Sequence, residues 1–500
     1  MSNNMWNFSE VRALIFLPAA LFHTVKELLT MLRVGVTAIA LLLVTLAAAG
    51  KEAAGSFPET YYNYVTVNAT YGAKMFYGIR GDSNSTFRAD PRTPLVIWLQ
   101  GGPGATSQFG NFLENGPQKL IIDATAPGGY RLVEREHRWT KHANMLYIDN
   151  PVGTGFSYVE NPMGYTTTDE QIGDELVEFL RGFIAKHQEY KQRDLWIFCE
   201  SYGGKMTAYF GAALAKAQLF PTTAMPVNFK GVSIGDGWVD PIACMQSYPD
   251  YLYGVSQITD GQRAKASHYA DLAQDSLEEG HGFDATNYWG EQQDYIMEKT
   301  NNVNFYNILY YYDYTADNQL NTFLSTNFTQ ENMAVLNASY PYNAQSNTVF
   351  STLGNTFMRD GVSQIETLID LGYSVNVESG QLDLIVDTLC IQRWMSKLSW
   401  SGLPKFLEAK DRQPIFPGGH DNGQNTGGFY QRYQNFTFWQ IDKAGHMIPL
   451  DNPAMAETMF VMIIGGDMSK VNPQNPPEVS SFPKGKEGKI HLRPHRRFRP

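Results

Sequence analysis

The sequence predicts an α/β fold, with a central, mostly parallel sheet covered by helices on both faces and a helical insertion above it. Three observations carry this. Short apolar runs stop abruptly at glycine- or proline-rich loops, as in Pro94 to Gln100 before Gly101-Gly102-Pro103-Gly104 and Ala143 to Asp149 before Asn150-Pro151. Such runs lack polar alternation, which marks strands buried on both faces. Stretches with a helical apolar rhythm follow them, and strand, helix, strand, helix in that order builds a parallel sheet. From Val239 to about Val362 the pattern loosens into amphipathic pieces rich in tyrosine and asparagine.

Taken in order, the chain first shows Met31-Leu32-Arg33 and then an apolar run from Val34 to Ala49. A positive start, a short apolar stretch and small residues at its end describe a secretory signal peptide over 31–50, cleaved near Ala49 or Gly50. The run falls short of the roughly 20 residues a spanning helix needs, so no stable membrane anchor is expected. Residues 1–30, with a second apolar stretch broken by Pro18, form an upstream extension without an assigned role. Thr167 to His187 reads as a helix, with Ile172, Leu176, Phe179, Leu180 and Phe183 on one face. Thr168 and Gln171 supply its N-terminal cap. Asp194 to Cys199 is a further buried strand and Lys205 to Leu219 a further helix. After the insertion the rhythm returns, with Gln364 to Leu371 helical, Ser374 to Val377 extended and Tyr433 to Ile441 a last strand. The expected organisation is therefore a core in two parts, 51–238 and 363–465, interrupted by a cap over 239–362. A basic tail, 466–500, cannot bury apolar area and is expected to be disordered.

Composition narrows the functions. A formal net charge of -11 disfavours nucleic acid as a partner, because phosphate is met by a cationic face. Acceptor triplets at Asn68, Asn84, Asn327, Asn337 and Asn435 mark candidate glycosylation sites, which agree with a secreted or lysosomal location. The 3 cysteines show no zinc spacing and allow at most one internal bridge, expected between Cys244 and Cys390 with Cys199 a buried free thiol. No metal and no cofactor are expected, since Gly101-Gly102-Pro103-Gly104 lacks the Lys-Ser/Thr ending of a phosphate loop.

The chemistry concentrates in Phe198-Cys199-Glu200-Ser201-Tyr202-Gly203-Gly204-Lys205. A serine on a tight turn between a buried strand and a helix is the nucleophile elbow of the α/β-hydrolase fold. Cys199 stands where that elbow usually has a glycine. The fold takes its partners in the order Ser, Asp, His. Asp383, in Ser379-Gly380-Gln381-Leu382-Asp383, follows an extended segment, with Asp387 competing for the role. His446, in Lys443-Ala444-Gly445-His446-Met447, follows the last strand.

These segments resemble the serine carboxypeptidase family, most closely its retinoid-inducible branch. The resemblance rests on Trp98-Leu99-Gln100-Gly101-Gly102-Pro103-Gly104, on Asp149 to Tyr158, on Glu200-Ser201-Tyr202-Gly203-Gly204 and on Gly445-His446-Met447. It runs from about Tyr61 to Gly465 and implies peptide substrates cut at the C-terminus through an acyl-enzyme. Carried over by position, it implies Ser201 as nucleophile, His446 as base and Asp383 as orienting acid. It also implies Gly102 and Tyr202 as the oxyanion hole, and Gln100, Glu114 and Glu200 as the grip on the substrate's terminal carboxylate. Crowded glutamates keep a proton and donate it to that carboxylate, so activity is expected to favour acidic pH. Gln100 stands for the family's asparagine, one methylene longer. Two other readings stay open: an esterase or acyltransferase using the same acyl-enzyme, and a binding protein on a retained hydrolase scaffold. Tyrosines of the insertion are expected to serve packing and surface.

Overall fold

A computed structural model describes residues 58–310, 315–408, 412–421, 423 and 426–471. The signal-peptide segment, the extension before it and the basic tail beyond Val471 lie outside the described residues.

Twelve strands form along the described chain: β1 (Thr60–Asn68), β2 (Ala73–Arg80), β3 (Leu95–Leu99), β4 (Gln118–Ile122), β5 (Tyr130–Glu134), β6 (Asn144–Ile148), β7 (Asp194–Glu200), β8 (Asn228–Gly235), β9 (Ser374–Gly380), β10 (Gln413–Ile415), β11 (Gly428–Tyr433) and β12 (Phe436–Ile441). β4 and β5 make a separate hairpin, and the other strands form one sheet in the order β1-β2-β6-β3-β7-β8-β9-β12-β11-β10. Its centre, from β6 to β12, is parallel throughout, and its two margins are antiparallel.

Side-chain alternation explains why the central strands read as unbroken apolar runs. In β3, Leu95, Ile97 and Leu99 enter one core, while Val96 and Trp98 enter the other. The first core also takes Ile172, Leu176, Phe179, Leu180 and Phe183 of the helix Asp169–Lys186, and Met206, Phe210 and Leu214 of the helix Gly203–Gln218. Met455, Met459 and Phe460 of the helix Pro453–Ile464 cover the opposite face. Both faces are dry, as a parallel sheet requires. The Thr168–Gln171 capping box forms as the sequence predicts.

Between β8 and β9 the chain is helical. Pro241–Gly254, Asp260–Glu278 and Gly282–Thr300 run 14, 19 and 19 residues, longer than the short pieces read from the sequence. A disulfide joins Cys244 on the first of these helices to Cys390 on the helix Thr388–Met395, and Cys199 is free and buried. At the C-terminal end the chain stays packed past Gly465, where the sequence placed the start of the tail. Met468–Lys470 forms a helical turn and Val471 is buried, because its side chain joins the core under the last helix. Among the described residues no helix is long and apolar enough to cross a membrane.

Candidate active site

The residues singled out in the sequence converge at the C-terminal ends of the parallel strands, where open α/β sheets build their crevices. Gln100 follows β3, Glu200 ends β7 and Ser201 follows it, Asp383 follows β9, and His446 follows β12. Glu114 arrives from a single helical turn, Gly110–Glu114.

Ser201 sits at φ 63°, a left-handed conformation a serine rarely adopts. Its amide donates to Gly235 O at 3.1 Å, and its carbonyl accepts from Gly204 N and Trp238 N, both at 2.8 Å. The strained turn is thus held from β8 as well as by its own helix. Gly203 is needed there, since a Cβ would fall 2.5 Å from Leu99 O and 3.0 Å from Cys199 Cβ. Cys199 fits in place of the usual glycine because its side chain turns into the core and its thiol meets Ser233 O at 3.5 Å. Burial pushes that thiol up to about 12, so it stays neutral beside the elbow.

His446 Nδ1 lies 2.7 Å from Asp383 Oδ2, and both side chains are buried. With Asp383 ionised, Nδ1 carries the proton and Nε2 presents a lone pair. Nε2 is buried and has no hydrogen-bond partner among the described residues. The loops bearing these residues are zipped together: Leu382 N donates to Ala444 O at 2.8 Å, and Gln381 N to Ile441 O at 3.0 Å. Asp387, the competing acid, is committed elsewhere. It caps the helix Thr388–Met395 through Cys390 N at 2.8 Å and accepts from Ser247 Oγ at 2.7 Å.

Gln100, Glu114 and Glu200 form one buried cluster. The Gln100 amide donates to Glu200 Oε1 at 2.7 Å and to Glu114 Oε1 at 3.3 Å, while its oxygen accepts from Trp98 Nε1 at 2.8 Å. The longer side chain therefore spans all three partners. The two glutamates share one amide donor and are both buried, an arrangement that disfavours ionising both. Burial pushes Glu114 up to about 7. Burial, and then the charge of Glu114, holds Glu200 well above the usual carboxylate range. Glu114 Oε2 and Glu200 Oε2 have no partner among the described residues.

Gly102 is at φ 108°, a conformation open to glycine, and Tyr202 begins the helix after the elbow. Neither backbone N–H is bonded to another described residue. Of the candidate glycan acceptors, Asn84 is exposed, while Asn68, Asn327, Asn337 and Asn435 are half-buried. Asn435 Nδ2 donates to Ile369 O at 3.0 Å and Tyr373 O at 2.7 Å.

Two contributors were not singled out in the sequence. Tyr306, from the insertion, accepts the His446 amide at 2.7 Å, and its ring centre lies 5.3 Å from the imidazole. An insertion tyrosine thus stands at the site rather than serving packing alone, because the loop after Thr300 is pinned to both the acid and the base loops. Asp236 follows β8, and one of its oxygens lies within 4.8 Å of an Asp383 oxygen. Its one sequence signal is the strand-to-glycine pattern Val232-Ser233-Ile234-Gly235-Asp236-Gly237, which matches that of β3.

A mostly parallel sheet, a strained serine elbow and the order Ser, Asp, His define the α/β-hydrolase class. Within it, the chain belongs to the serine carboxypeptidase family, whose profile matches residues 52–466. It is 33% identical over 427 residues to a retinoid-inducible serine carboxypeptidase of Rattus norvegicus, covering 80% of this chain and 90% of that one. A venom serine carboxypeptidase of Apis mellifera is 31% identical over 409 residues, covering 80% of this chain and 82% of the relative. In fold, a prohormone-processing carboxypeptidase of Saccharomyces cerevisiae superposes with a TM-score of 0.70 at 20% identity, over 83% of this chain and 92% of that one. The chain is accordingly an enzyme of the serine carboxypeptidase type. Membership of this family is consistent with the secretory pathway.

Proposed function

We propose that Ser201, His446 and Asp383 carry out C-terminal peptide hydrolysis in this chain. The observation that supports it most is the 2.7 Å contact between His446 Nδ1 and Asp383 Oδ2, together with Ser201 held at positive φ at the end of β7. Ser201 Oγ attacks the last peptide carbonyl as its proton passes to His446 Nε2. Negative charge then develops on the carbonyl oxygen, where the Gly102 and Tyr202 N–H groups receive it. His446 returns the proton to the leaving amine, and the C-terminal residue departs from the acyl-enzyme. Water, activated by the same imidazole, attacks the ester and regenerates Ser201. Asp383 keeps the imidazole in the productive tautomer and balances its transient positive charge.

Gln100, Glu114 and Glu200 recognise the substrate's free carboxylate in this reading. An ionised pair would repel it, whereas a protonated carboxyl donates a short, charge-assisted hydrogen bond. The proton on this pair is most easily lost near the Glu114 value of about 7, so exopeptidase activity favours the acidic side. The core is read as 51–238 and 363–465, with the cap over 239–362 shaping side-chain preference. Secretion or delivery to a lysosome is supported by the apolar segment 31–50, the glycosylation triplets and the Cys244–Cys390 bridge. The test is uptake of a fluorophosphonate: labelling confined to Ser201, and absent from Ser201→Ala, is expected, while labelling that survives the substitution contradicts the assignment.

A further inference from the structure

Behind the acid of the candidate triad lies another carboxyl. Asp236 leaves the end of β8 at φ 38° and is buried, as is Asp383. One ligand-type atom from each of Asp236, Asp383 and His446 lies within 4.8 Å of the others. Asp236 Oδ1 is occupied, accepting from Gly380 N at 2.9 Å. Asp236 Oδ2 and Asp383 Oδ1 are both buried, and no N–H or O–H group among the described residues reaches either. Yet the two carboxyls stand this close together in a buried site. Two ionised carboxyls so close and without donors would repel, and one proton between them removes the repulsion and pairs both bare oxygens. Asp383 already accepts from His446 through Oδ2. The proton therefore belongs on Asp236, whose other neighbours, Glu378 and Glu200, are also acidic.

We propose that Asp236 is a positioning residue for the catalytic acid, its carboxyl donating a hydrogen bond to Asp383 Oδ1 and aiming that carboxylate at His446. Asp383 would otherwise have one buried oxygen without a donor, an unpaired polar atom that costs free energy and leaves the carboxyl free to turn away from the imidazole. A carboxylate turned aside could not hold the imidazolium that forms during acylation. Burial and the Asp383 charge hold Asp236 well above the usual carboxylate range, in agreement. The idea rests on the assignment of Ser201, Asp383 and His446 given above.

The test measures the rate of Ser201 labelling by a fluorophosphonate from pH 5 to 10, with kcat and KM for a blocked dipeptide at pH 5. Labelling does not use the carboxylate-binding glutamates. Asp236→Asn keeps a donor for Asp383 and an acceptor for Gly380 but cannot ionise. It should stay within about threefold of wild type at pH 5 and keep labelling at higher pH, where wild type fades as Asp236 loses its proton. Asp236→Ala should lose at least about tenfold in kcat with KM within about twofold. Equal losses in the Asn and Ala variants, or an Ala variant at wild-type rate, would overturn the proposal. Should the Ala variant not fold, an unchanged alkaline limb in Asp236→Asn overturns it alone. Wild-type protein that takes up no label at Ser201 would instead sink the underlying assignment.

Discussion

The amide of Gln100 donates to Glu200 at 2.7 Å while its own oxygen is held by Trp98. Gln100 therefore orients Glu200 and leaves the outer oxygens of both glutamates for a ligand. Gln100→Ala strips this support and should raise KM for blocked dipeptides about tenfold, since buried polar groups lose their partners. Fluorophosphonate labelling of Ser201 should change less than about threefold, because the elbow does not use Gln100. Equal losses in both assays would place Gln100 in the acyl-transfer machinery instead.

Glu114→Gln removes the group whose proton is lost near 7. Wild-type kcat/KM should fall as pH rises through that value. In the variant the fall should move to higher pH, as the amide stays a donor throughout. A profile that keeps its wild-type midpoint would show that another group controls substrate binding.

Stability should follow pH in the same sense. Burial pushes Asp149 up to about 6 and Glu175, Glu378 and Asp387 up to about 7. Between the ordinary carboxylate range and these values the folded state binds more protons than the unfolded one, so stability falls as pH rises. Glu457 runs the other way: despite burial, His137 and His142 hold it low. The raised groups outnumber it, and thermal denaturation should give a Tm at least about 5 °C higher at pH 5 than at pH 7.5. A Tm that rises over this interval would contradict the burial argument.

How much of this was legible in the sequence depended on burial. Strands β3, β6 and β7 stood out because both faces are covered, which makes Leu95–Leu99, Met145–Ile148 and Leu195–Cys199 apolar throughout. β1 hid because its Tyr residues are half-exposed and its Thr residues exposed, and β8 because Lys230 and Gly231 interrupt it. The helix Asp260–Glu278 buries only Ala266, Ala270 and Ala273, so its stripe is too slight to register as a hydrophobic rhythm. The elbow, acid and base were legible because each sits in a short local motif. Asp236 and Tyr306 were not, since their roles come from contacts between loops far apart in the chain.

The Cys244–Cys390 bridge closes a separation of 146 residues and joins the first insertion helix to the helix after the acid loop. The same insertion helix braces that loop through Tyr248 Oη, which donates to Ile385 O at 2.8 Å. Replacing both cysteines by serine should destabilise the fold by about 2–5 kcal/mol. Denaturant unfolding would measure it, and an unchanged midpoint would mean that packing alone secures the joint.

A glycan on Asn435 would sacrifice one hydrogen of a nitrogen that donates to Ile369 O and Tyr373 O. In folded, secreted protein, peptide mapping after glycosidase treatment should find Asn84 occupied and Asn435 bare. Full occupancy of Asn435 would show that those bonds are dispensable.

The most direct measurement is release of the last residue from blocked dipeptides across pH 4 to 8, wild type against Ser201→Ala. The account predicts release that is strongest on the acidic side and abolished by the substitution. Release that persists in Ser201→Ala, or that climbs steadily to pH 8, would contradict it.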